Sequence, residues 1–283
     1  MKIIRDPRQM QQTLRAARSA KKTVGFVPTM GALHKGHLSL IRRCAKDNDI
    51  SVVSIFINPS QFGPKEDLKK YPRPIKNDIA LCRKEGVDFI FYPSARAMYP
   101  EGFKTHVCVE ELSSLLCGDS RPGHFRGVTT VVAKLFNIIN PDQVYFGQKD
   151  AQQAAIIKRM AADLNFSVKI TVMPIVREAS GLALSSRNTY LDARQKQDAL
   201  VLSASLKLAK KMADSGIKDT GKILSAMRRL IKGKRTIRMD YATAVDPVNL
   251  KHVKRITGEC LIALAAWIGK TRLIDNILIC PKN

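Results

Sequence analysis

Short apolar runs alternate with amphipathic stretches along the first 176 residues of the chain. The apolar runs are rich in β-branched residues, which favours buried strands, and the stretches between them place apolar residues at helical spacing. The predicted strands are 22–27, 50–57, 88–92, a short one from 144, and 168–176. The predicted helices are 8–20, 38–44, 128–139 and, with an interruption near 71–74, 67–85. This alternation predicts an α/β fold with a Rossmann-like, doubly wound parallel sheet.

The pattern changes near residue 176, where we place a domain boundary. Beyond it, helices are predicted over 192–215 and 221–232, and strands over 237–245, 260–268 and 272–279. We therefore expect residues 1–176 to form an N-terminal catalytic domain and residues 177–283 to form a smaller α+β domain. From residue 192 onward, no independent catalytic motif stands out.

Length and cysteine usage narrow the class of protein. The chain has 283 residues, and no apolar run approaches the roughly 20 residues that a membrane span needs. Its N-terminus leads into charged sequence without the apolar core of a signal peptide, so we expect a cytoplasmic protein. The six cysteines are scattered and form no Cys-x-x-Cys pair, which favours reduced thiols over a disulfide framework.

The net charge of +24 implies anionic partners, which range from small phosphates to nucleic acid or a membrane surface. The positive residues are spread along the chain, and no basic motif interleaved with aromatic residues occurs. We interpret the excess as a surface bias and do not expect nucleic acid to be a partner.

One stretch between a predicted strand and a predicted helix carries the strongest chemical signal. Residues 28–37, here called the histidine turn, have the sequence Pro-Thr-Met-Gly-Ala-Leu-His-Lys-Gly-His. One helical turn puts His34 and His37 on the same face, and Gly31 and Gly36 permit tight backbone geometry. Near a helix N-terminus, whose N–H groups attract anions, two imidazoles can hold a phosphate. One alternative is that the two histidines are structural or merely exposed. A zinc site is a second alternative, but no further ligand stands at a recognisable spacing.

Two loops rich in glycine or proline are expected near this turn. Residues 58–64 follow the second predicted strand, and ligands of open α/β sheets bind beyond the carboxyl ends of strands. Gln61 would therefore offer a donor and an acceptor close to the histidine turn. Residues 117–128 are rich in glycine and charge and include Arg121 and His124. This second segment is either a mobile flap that closes over substrate or an ordinary surface loop.

Two later segments have residues suited to a nucleotide. After the fourth predicted strand, Gly147 permits close backbone approach, Lys149 offers a point charge for phosphate, and Asp150 can accept hydrogen bonds from a ribose diol. Gln153 lies one helical turn further on. Residues 185–187, Ser-Ser-Arg, follow the fifth predicted strand. Their two hydroxyls and guanidinium suit a polyphosphate, although a helix cap is the other interpretation.

These segments together resemble the pantothenate synthetase (pantoate–β-alanine ligase) family. His34-Lys35-Gly36-His37 resembles the His-x-Gly-His signature of the wider nucleotidyltransferase superfamily, and the whole histidine turn resembles the family's own string. Three further strings resemble family segments: Arg-Pro-Gly-His-Phe-x-Gly-Val from residue 121, Phe-Gly-x-Lys-Asp-x-Gln-Gln from residue 146, and Gly-Leu-Ala-Leu-Ser-Ser-Arg-Asn from residue 181. The last is similar to the Lys-Met-Ser-Lys-Ser loop of class I aminoacyl-tRNA synthetases. One residue departs from the family pattern, because Ser180 stands where Asp is usual.

The resemblance implies ATP-dependent condensation of pantoate with β-alanine through a pantoyl adenylate, giving pantothenate, AMP and diphosphate. It implies that His37 is the proton donor and that His34 and Lys149 face the developing charge. The implied ATP-binding residues are Met30, Gly31, His34, His37, Gly147, Gln148, Lys149, Asp150, Val176, Leu184, Ser185, Ser186 and Arg187. The implied pantoate- and β-alanine-binding residues are Gln61, Gln153 and Asn58, with Arg121 and His124 as secondary candidates.

The resemblance also implies a magnesium ion that bridges the ATP phosphates and a homodimer formed through the N-terminal domain. Asp78 is a candidate ligand for the metal, although solvation on the surface of a predicted helix is the simpler account of this carboxylate.

Two other functions fit parts of the sequence. A nucleotidyltransferase that leaves AMP or CMP on its product would also carry the His-x-Gly-His signature. A non-enzymatic RNA-binding protein would account for the charge, and it would not need the histidines. A class I aminoacyl-tRNA synthetase fits poorly, because no anticodon-binding appendage of adequate size follows the catalytic segments.

Overall fold

The computed structural model describes residues 1–64 and 66–280, and the chain divides into two compact units. The first unit contains Met1–Gly147 and Ile156–Pro174. The second contains Gln148–Ala155 and the residues from Ile175 onward. The segment 148–155, which carries the predicted lysine of the nucleotide site, thus groups with the C-terminal part of the chain.

The described residues of the first unit form a six-stranded sheet in which every strand pair is parallel. Its strands are β1 (Lys2–Ile4), β2 (Val24–Thr29), β3 (Ile50–Ile55), β4 (Phe89–Phe91), β5 (Gln143–Gly147) and β6 (Lys169–Met173), in the order β1-β4-β3-β2-β5-β6. The strand order reverses between β2 and β5, as in a doubly wound sheet. Five of these strands were predicted from the sequence, and β1 was not.

Helices connect these strands. They are α1 (Pro7–Ser19), α2 (Lys35–Asp47), α3 (Ile75–Lys84), α4 (Ala95–Met98), α5 (Cys117–Ser120), α6 (His124–Ile139) and α7 (Ala151–Asp163). The predicted helix over 67–85 is wrong in its first half, because only its last part, α3, is helical. Pro72 and Pro74 disfavour helical backbone in the residues before them. Helix α6 begins four residues earlier than predicted and includes His124.

The core of the first unit explains why apolar runs predict its strands. All six residues of β3 are buried, because helices cover both faces of a parallel sheet. Leu38 and Ile41 of α2 pack in one cluster with Val53 and Ile90. None of the six cysteines, all of which lie in the described residues, forms a disulfide. Burial raises the pKa of Cys44 to about 12, so this thiol is unreactive near neutral pH.

The second unit is α+β, as the sequence predicts. It contains helices α8 (Ala193–Asp214) and α9 (Thr220–Lys232) and an antiparallel sheet of β7 (Ile237–Val245), β8 (Cys260–Ile268) and β9 (Thr271–Ile279) in that order. Its core packs Leu206 and Met227 of the helices with Ile262 and Leu264 of β8. Among the described residues of the whole chain, no helix is long and apolar enough to cross a membrane.

Candidate active site

The histidine turn lies at the carboxyl end of β2, and the neighbouring strand β5 ends at Gly147. These two strands flank the point at which the strand order reverses. Open parallel sheets bind ligands at such a point, in the crevice beyond the carboxyl ends of the strands. The fold therefore places the histidine turn at the position where a ligand is expected.

Short hydrogen bonds fix the first residues of the turn. Thr29 Oγ1 donates to Ser54 O at 2.7 Å and accepts from Gly31 N at 3.1 Å, which ties the end of β2 to β3. Gly31 has φ of +82°, and a Cβ at this position would lie 2.9 Å from Asp78 Oδ2. Glycine is needed here because a side chain would both strain the backbone and displace a buried carboxylate.

Asp78 is the residue whose role the structure changes most. It is 1% exposed on α3, so the interpretation as a carboxylate solvated on a helix surface is wrong. Its Oδ2 accepts from Ala32 N at 2.9 Å and its Oδ1 from Leu33 N at 2.8 Å. Burial raises the pKa of Asp78, and the two N–H groups oppose that rise by stabilising the carboxylate. Since both oxygens accept from the histidine turn, Asp78 is a positioning residue for the turn, and its role as a metal ligand stays a prediction.

His34 and His37 cap the N-terminus of α2. His34 Nδ1 accepts from Gly36 N at 3.2 Å, and His37 Nδ1 accepts from His34 N at 3.3 Å, so the two rings form a reciprocal capping box. The ring centroids are 4.1 Å apart. A nitrogen that accepts from a backbone N–H carries no proton of its own. In this arrangement each Nδ1 is the acceptor, so Nε2 is the ring nitrogen that can carry a proton and donate a hydrogen bond.

Asn58 organises the loop that carries Gln61. It is 1% exposed, and its Nδ2 donates to Gln61 Oε1 at 3.0 Å and to Gly127 O at 3.1 Å. Its Oδ1 accepts from the hydroxyls of Tyr99 at 2.7 Å and Ser60 at 2.8 Å. This amide is fully used inside the protein, so the structure does not favour Asn58 as a substrate contact. Asn58 holds the amide oxygen of Gln61, and the amide nitrogen of Gln61, Nε2, donates to Met30 Sδ at 3.1 Å.

The start of α6 is packed directly against this loop. A Cβ on Gly127 would lie 2.2 Å from Ser60 O and 2.6 Å from Gln61 N, so only glycine permits the contact. His124 Nδ1 lies 2.8 Å from Gln61 O, and His124 Nε2 lies 2.9 Å from Arg121 Nη1. Because a guanidinium only donates, His124 Nε2 accepts and His124 Nδ1–H donates to the Gln61 carbonyl.

Arg121 ties the same segment to Glu66. Its Nε and Nη2 donate to the two carboxylate oxygens of Glu66 at 2.7 and 2.6 Å. Burial by itself raises the pKa of Glu66, but the hydrogen bonds and charge of Arg121 outweigh it and lower the pKa overall. The segment 117–128 is thus bonded to the Gln61 loop in this structure. Its predicted role as a mobile flap stays a prediction.

The residues that follow β5 belong to the second unit. Gln148–Asp150 form a short 3₁₀ helix that leads into α7, and Lys149 Nζ lies 3.3 Å from Asp150 Oδ1. Gln153 is half-buried in the first turn of α7. Just before them, a Cβ built on Gly147 meets no protein atom within 4 Å outside its own chain neighbours. The protein itself leaves open space beside the Gly147 backbone.

The segment 176–188 forms a hairpin that leads into a short 3₁₀ helix (Ser186–Tyr190). Leu184 N donates to Val176 O at 3.0 Å, and Arg177 pairs with Ala183. Ser185 Oγ accepts from Arg187 N at 3.2 Å, so the helix-cap interpretation of this serine is correct. Ser185, Ser186 and Arg187 are each half-buried. Ser180, the departure from the family pattern, is exposed in the turn of the hairpin.

Sequence reasoning missed two buried residues that touch these two segments. Asp275 of β9 binds Arg177, and Asn276 binds the backbone of Gln148 and Lys149. The signal that was available is a polar pair, Asp-Asn, in the middle of an otherwise apolar predicted strand.

Comparison with known proteins identifies a family model and several proteins that this chain resembles. The chain matches the family model for pantoate-beta-alanine ligase over residues 2–278. It is 50% identical over 282 residues to the pantothenate synthetase of Caldicellulosiruptor bescii, with 100% of both chains covered. The crystal structure of pantothenate synthetase from Thermus thermophilus superimposes with a TM-score of 0.93 at 41% identity, covering 98% of this chain and 99% of that one. The pantoate-beta-alanine ligase of Francisella tularensis, complexed with beta-gamma ATP and beta-alanine, gives a TM-score of 0.81 at 34% identity, covering 98% and 97%.

Proposed function

Because the chain belongs to the pantoate–β-alanine ligase family, we propose that it condenses pantoate with β-alanine in an ATP-dependent reaction that forms pantothenate, AMP and diphosphate. The family match over residues 2–278 carries this proposal, and the geometry of the histidine turn supports it. The turn lies beyond the carboxyl end of β2, beside the point where the strand order reverses, and its capping box carries two imidazole donors.

The first step of the proposed reaction forms pantoyl adenylate. A carboxylate oxygen of pantoate attacks the α-phosphorus of ATP, the bond between the α-phosphorus and the bridging oxygen breaks, and diphosphate leaves. Negative charge builds on phosphoryl oxygens, so catalysis consists mainly of positioning and electrostatic stabilisation. The Nε2–H groups of His34 and His37 suit this task as hydrogen-bond donors, and His37 is our choice for the group that donates to the leaving diphosphate. We also assign Lys149 to ATP, because its point charge suits phosphate.

The second step transfers the pantoyl group. The amine of β-alanine attacks the acyl carbon, the bond to the AMP oxygen breaks, and the amine loses a proton. We assign Ser185, Ser186 and Arg187 to the terminal phosphates, because two hydroxyls and a guanidinium match a polyphosphate. The described residues contain no cluster of three or more His, Cys, Asp or Glu that could hold a metal ion. We therefore expect Mg²⁺ to enter with ATP, bound to its phosphates.

We assign Gln61 and Gln153 to pantoate, whose hydroxyls and carboxylate need both donors and acceptors. Gln153→Ala should raise the KM for pantoate about tenfold, the equivalent of one lost hydrogen bond, and leave the KM for ATP unchanged. Steady-state kinetics with each substrate varied in turn would show this. Gln197→Ala, an exposed glutamine on α8, is the matched control. An effect confined to ATP binding would contradict the assignment.

Gly147 provides a second test, because the protein itself does not require glycine there. Gly147→Ala should leave the free energy of unfolding unchanged or raise it by up to about 1 kcal/mol. It should also raise the KM for ATP about tenfold, since the new methyl group would occupy space proposed for the nucleotide. Gly258→Ala, the same change in equally open space, should leave ATP kinetics unaffected. A KM for ATP equal to that of the wild type in the Gly147 variant would show that this glycine does not line the nucleotide site.

Pantoate-dependent exchange between ATP and diphosphate, with and without β-alanine, tests the proposed function. We expect exchange with pantoate alone and release of AMP once β-alanine is added. A protein that is folded and binds ATP but shows no exchange with pantoate would be a different nucleotidyltransferase. Tight, salt-sensitive RNA binding that survives loss of both histidines would favour the RNA-binding alternative.

We further propose that the chain acts in the cytoplasm as a homodimer, on the basis of the family resemblance alone. Light scattering coupled to size-exclusion chromatography would measure the oligomeric state.

A further inference from the structure

One strand of the second unit holds two of the segments that we assign to ATP. Asn276 of β9 donates from Nδ2 to Gln148 O at 2.9 Å and to Lys149 O at 3.0 Å. Its Oδ1 accepts from Gln148 Nε2 at 3.1 Å. The amide therefore directs both of its N–H bonds and its carbonyl oxygen to the segment that presents Lys149.

The preceding residue of the strand holds the other segment. Asp275 pairs through both oxygens with Arg177, Nη1 at 2.7 Å and Nη2 at 2.9 Å, and Arg177 Nη1 also donates to Gly181 O at 3.2 Å. Arg177 begins the hairpin that leads to Ser185. Asp275 Oδ1 also accepts from Asn276 N at 2.8 Å, which links the two residues directly.

The two residues work from opposite faces of β9. Side chains alternate along a strand, so Asp275 shares a face with Leu273 and Ile279 of the core, and Asn276 lies on the other face. Asp275 is 3% exposed and Asn276 is 4% exposed. Apolar residues of similar size would commonly stabilise such buried positions at least as well. Stability alone therefore does not explain a carboxylate and an amide in the middle of this strand.

We propose that Asp275 and Asn276 are positioning residues that set the place of Lys149 relative to the Ser185–Arg187 segment. Neither touches the nucleotide. Each acts through a segment that does. Asp275 and Asn276 are adjacent in β9, so one rigid strand fixes the positions of both phosphate-binding segments. This inference rests on the proposed function, because that function assigns both segments to ATP.

The test is a double-mutant cycle read out as the Kd for MgATP, measured by calorimetry. Asn276→Ala should weaken MgATP about tenfold in the otherwise native chain and less than about threefold in a Lys149→Ala background, because residues that act as a unit are not additive. It should lower pantoate-dependent exchange about 10²-fold, the loss expected for a misplaced catalytic group, with the KM for pantoate unchanged. Asn249→Ala, an exposed asparagine of the same unit, is the control.

Two further variants keep the result decisive if Asn276→Ala is poorly folded. Asn276→Asp keeps the shape and the acceptor but replaces both donors with an oxygen, so it should weaken MgATP at least as much as alanine does. Gln148→Ala removes the side-chain bond to Asn276 and leaves both backbone acceptors in place, so it should weaken MgATP less than Asn276→Ala does.

Equal losses of MgATP affinity in the native and Lys149→Ala backgrounds would overturn the proposal. So would native affinity in the Asn276→Asp variant, or a lowered unfolding temperature with unchanged kinetics. If the wild-type chain binds MgATP but shows no exchange with pantoate, the proposed function fails, and the MgATP cycle still decides whether these residues position the nucleotide segments.

Discussion

Replacing His37 by asparagine is expected to lower the rate of pantoyl adenylate formation by about 10²- to 10³-fold, the loss typical of one donor to a developing anion. Stability should stay close to that of the wild type. The Oδ1 of asparagine lies where His37 Nδ1 lies, so it can still accept from His34 N and keep the cap of α2. The Nε2–H donor is absent from this variant.

Glutamine at position 37 has the opposite effect: it keeps a donor near the position of Nε2 and loses the acceptor that caps α2. Its amide lies near the position of Nε2, so His37→Gln should retain more exchange activity than His37→Asn. It loses the capping acceptor, and the free energy of unfolding should fall by about 0.5–2 kcal/mol. Exchange of labelled diphosphate and chemical denaturation measure the two quantities. Near-normal exchange in the asparagine variant would exclude His37 as a catalytic donor.

Replacing Asp78 by alanine is expected to produce the largest loss of stability among these variants. The N–H groups of Ala32 and Leu33 would lose their acceptor in a buried place, at about 1–3 kcal/mol each. The histidine turn would then shift, and a shift of about 1 Å in a catalytic group lowers the rate by about 10²-fold. Denaturant unfolding and exchange activity should therefore fall together.

Two comparisons make the Asp78 result interpretable. Asp78→Asn keeps one acceptor oxygen and should fall between alanine and the wild type in both measurements. Asp163→Ala removes an exposed carboxylate paired with Arg159 and should change stability by at most about 1 kcal/mol. If Asp78→Ala proved as stable and active as Asp163→Ala, the carboxylate would have no part in holding the turn.

The sequence predicts most of the fold because the strongest signals are local. Strand β3 is an apolar, β-branched run that is buried throughout, and β8 is found at its predicted bounds. Strand β1 escaped prediction because three residues are too few to establish a period. The helix predicted over 67–85 failed in its first half, where the prolines outweigh the surrounding helix formers.

Within the site, the sequence identifies side chains with chemical signatures but not the residues that hold them. The His-x-x-His spacing and the Ser-Ser-Arg string are visible along the chain. Asp78 accepts hydrogen bonds from Leu33 and Ala32, which precede it in the chain by 45 and 46 positions. The contact between Asn276 and Lys149 spans 127 positions. Such partners depend on how the sheets bring distant segments together, and no local pattern of one sequence contains that information.

The backbone contact at Gly127 has a consequence for motion. At Gly127, helix α6 touches the loop of Gln61 main chain to main chain, so no change of rotamer at this point can absorb a displacement. A rigid-body movement of the first turn of α6 would therefore carry Gln61 with it. Any independent hinge of the segment 117–128 has to lie before His124, near Gly123, whose φ is +80°. Opening of this segment and release of whatever Gln61 binds would then be a single kinetic event.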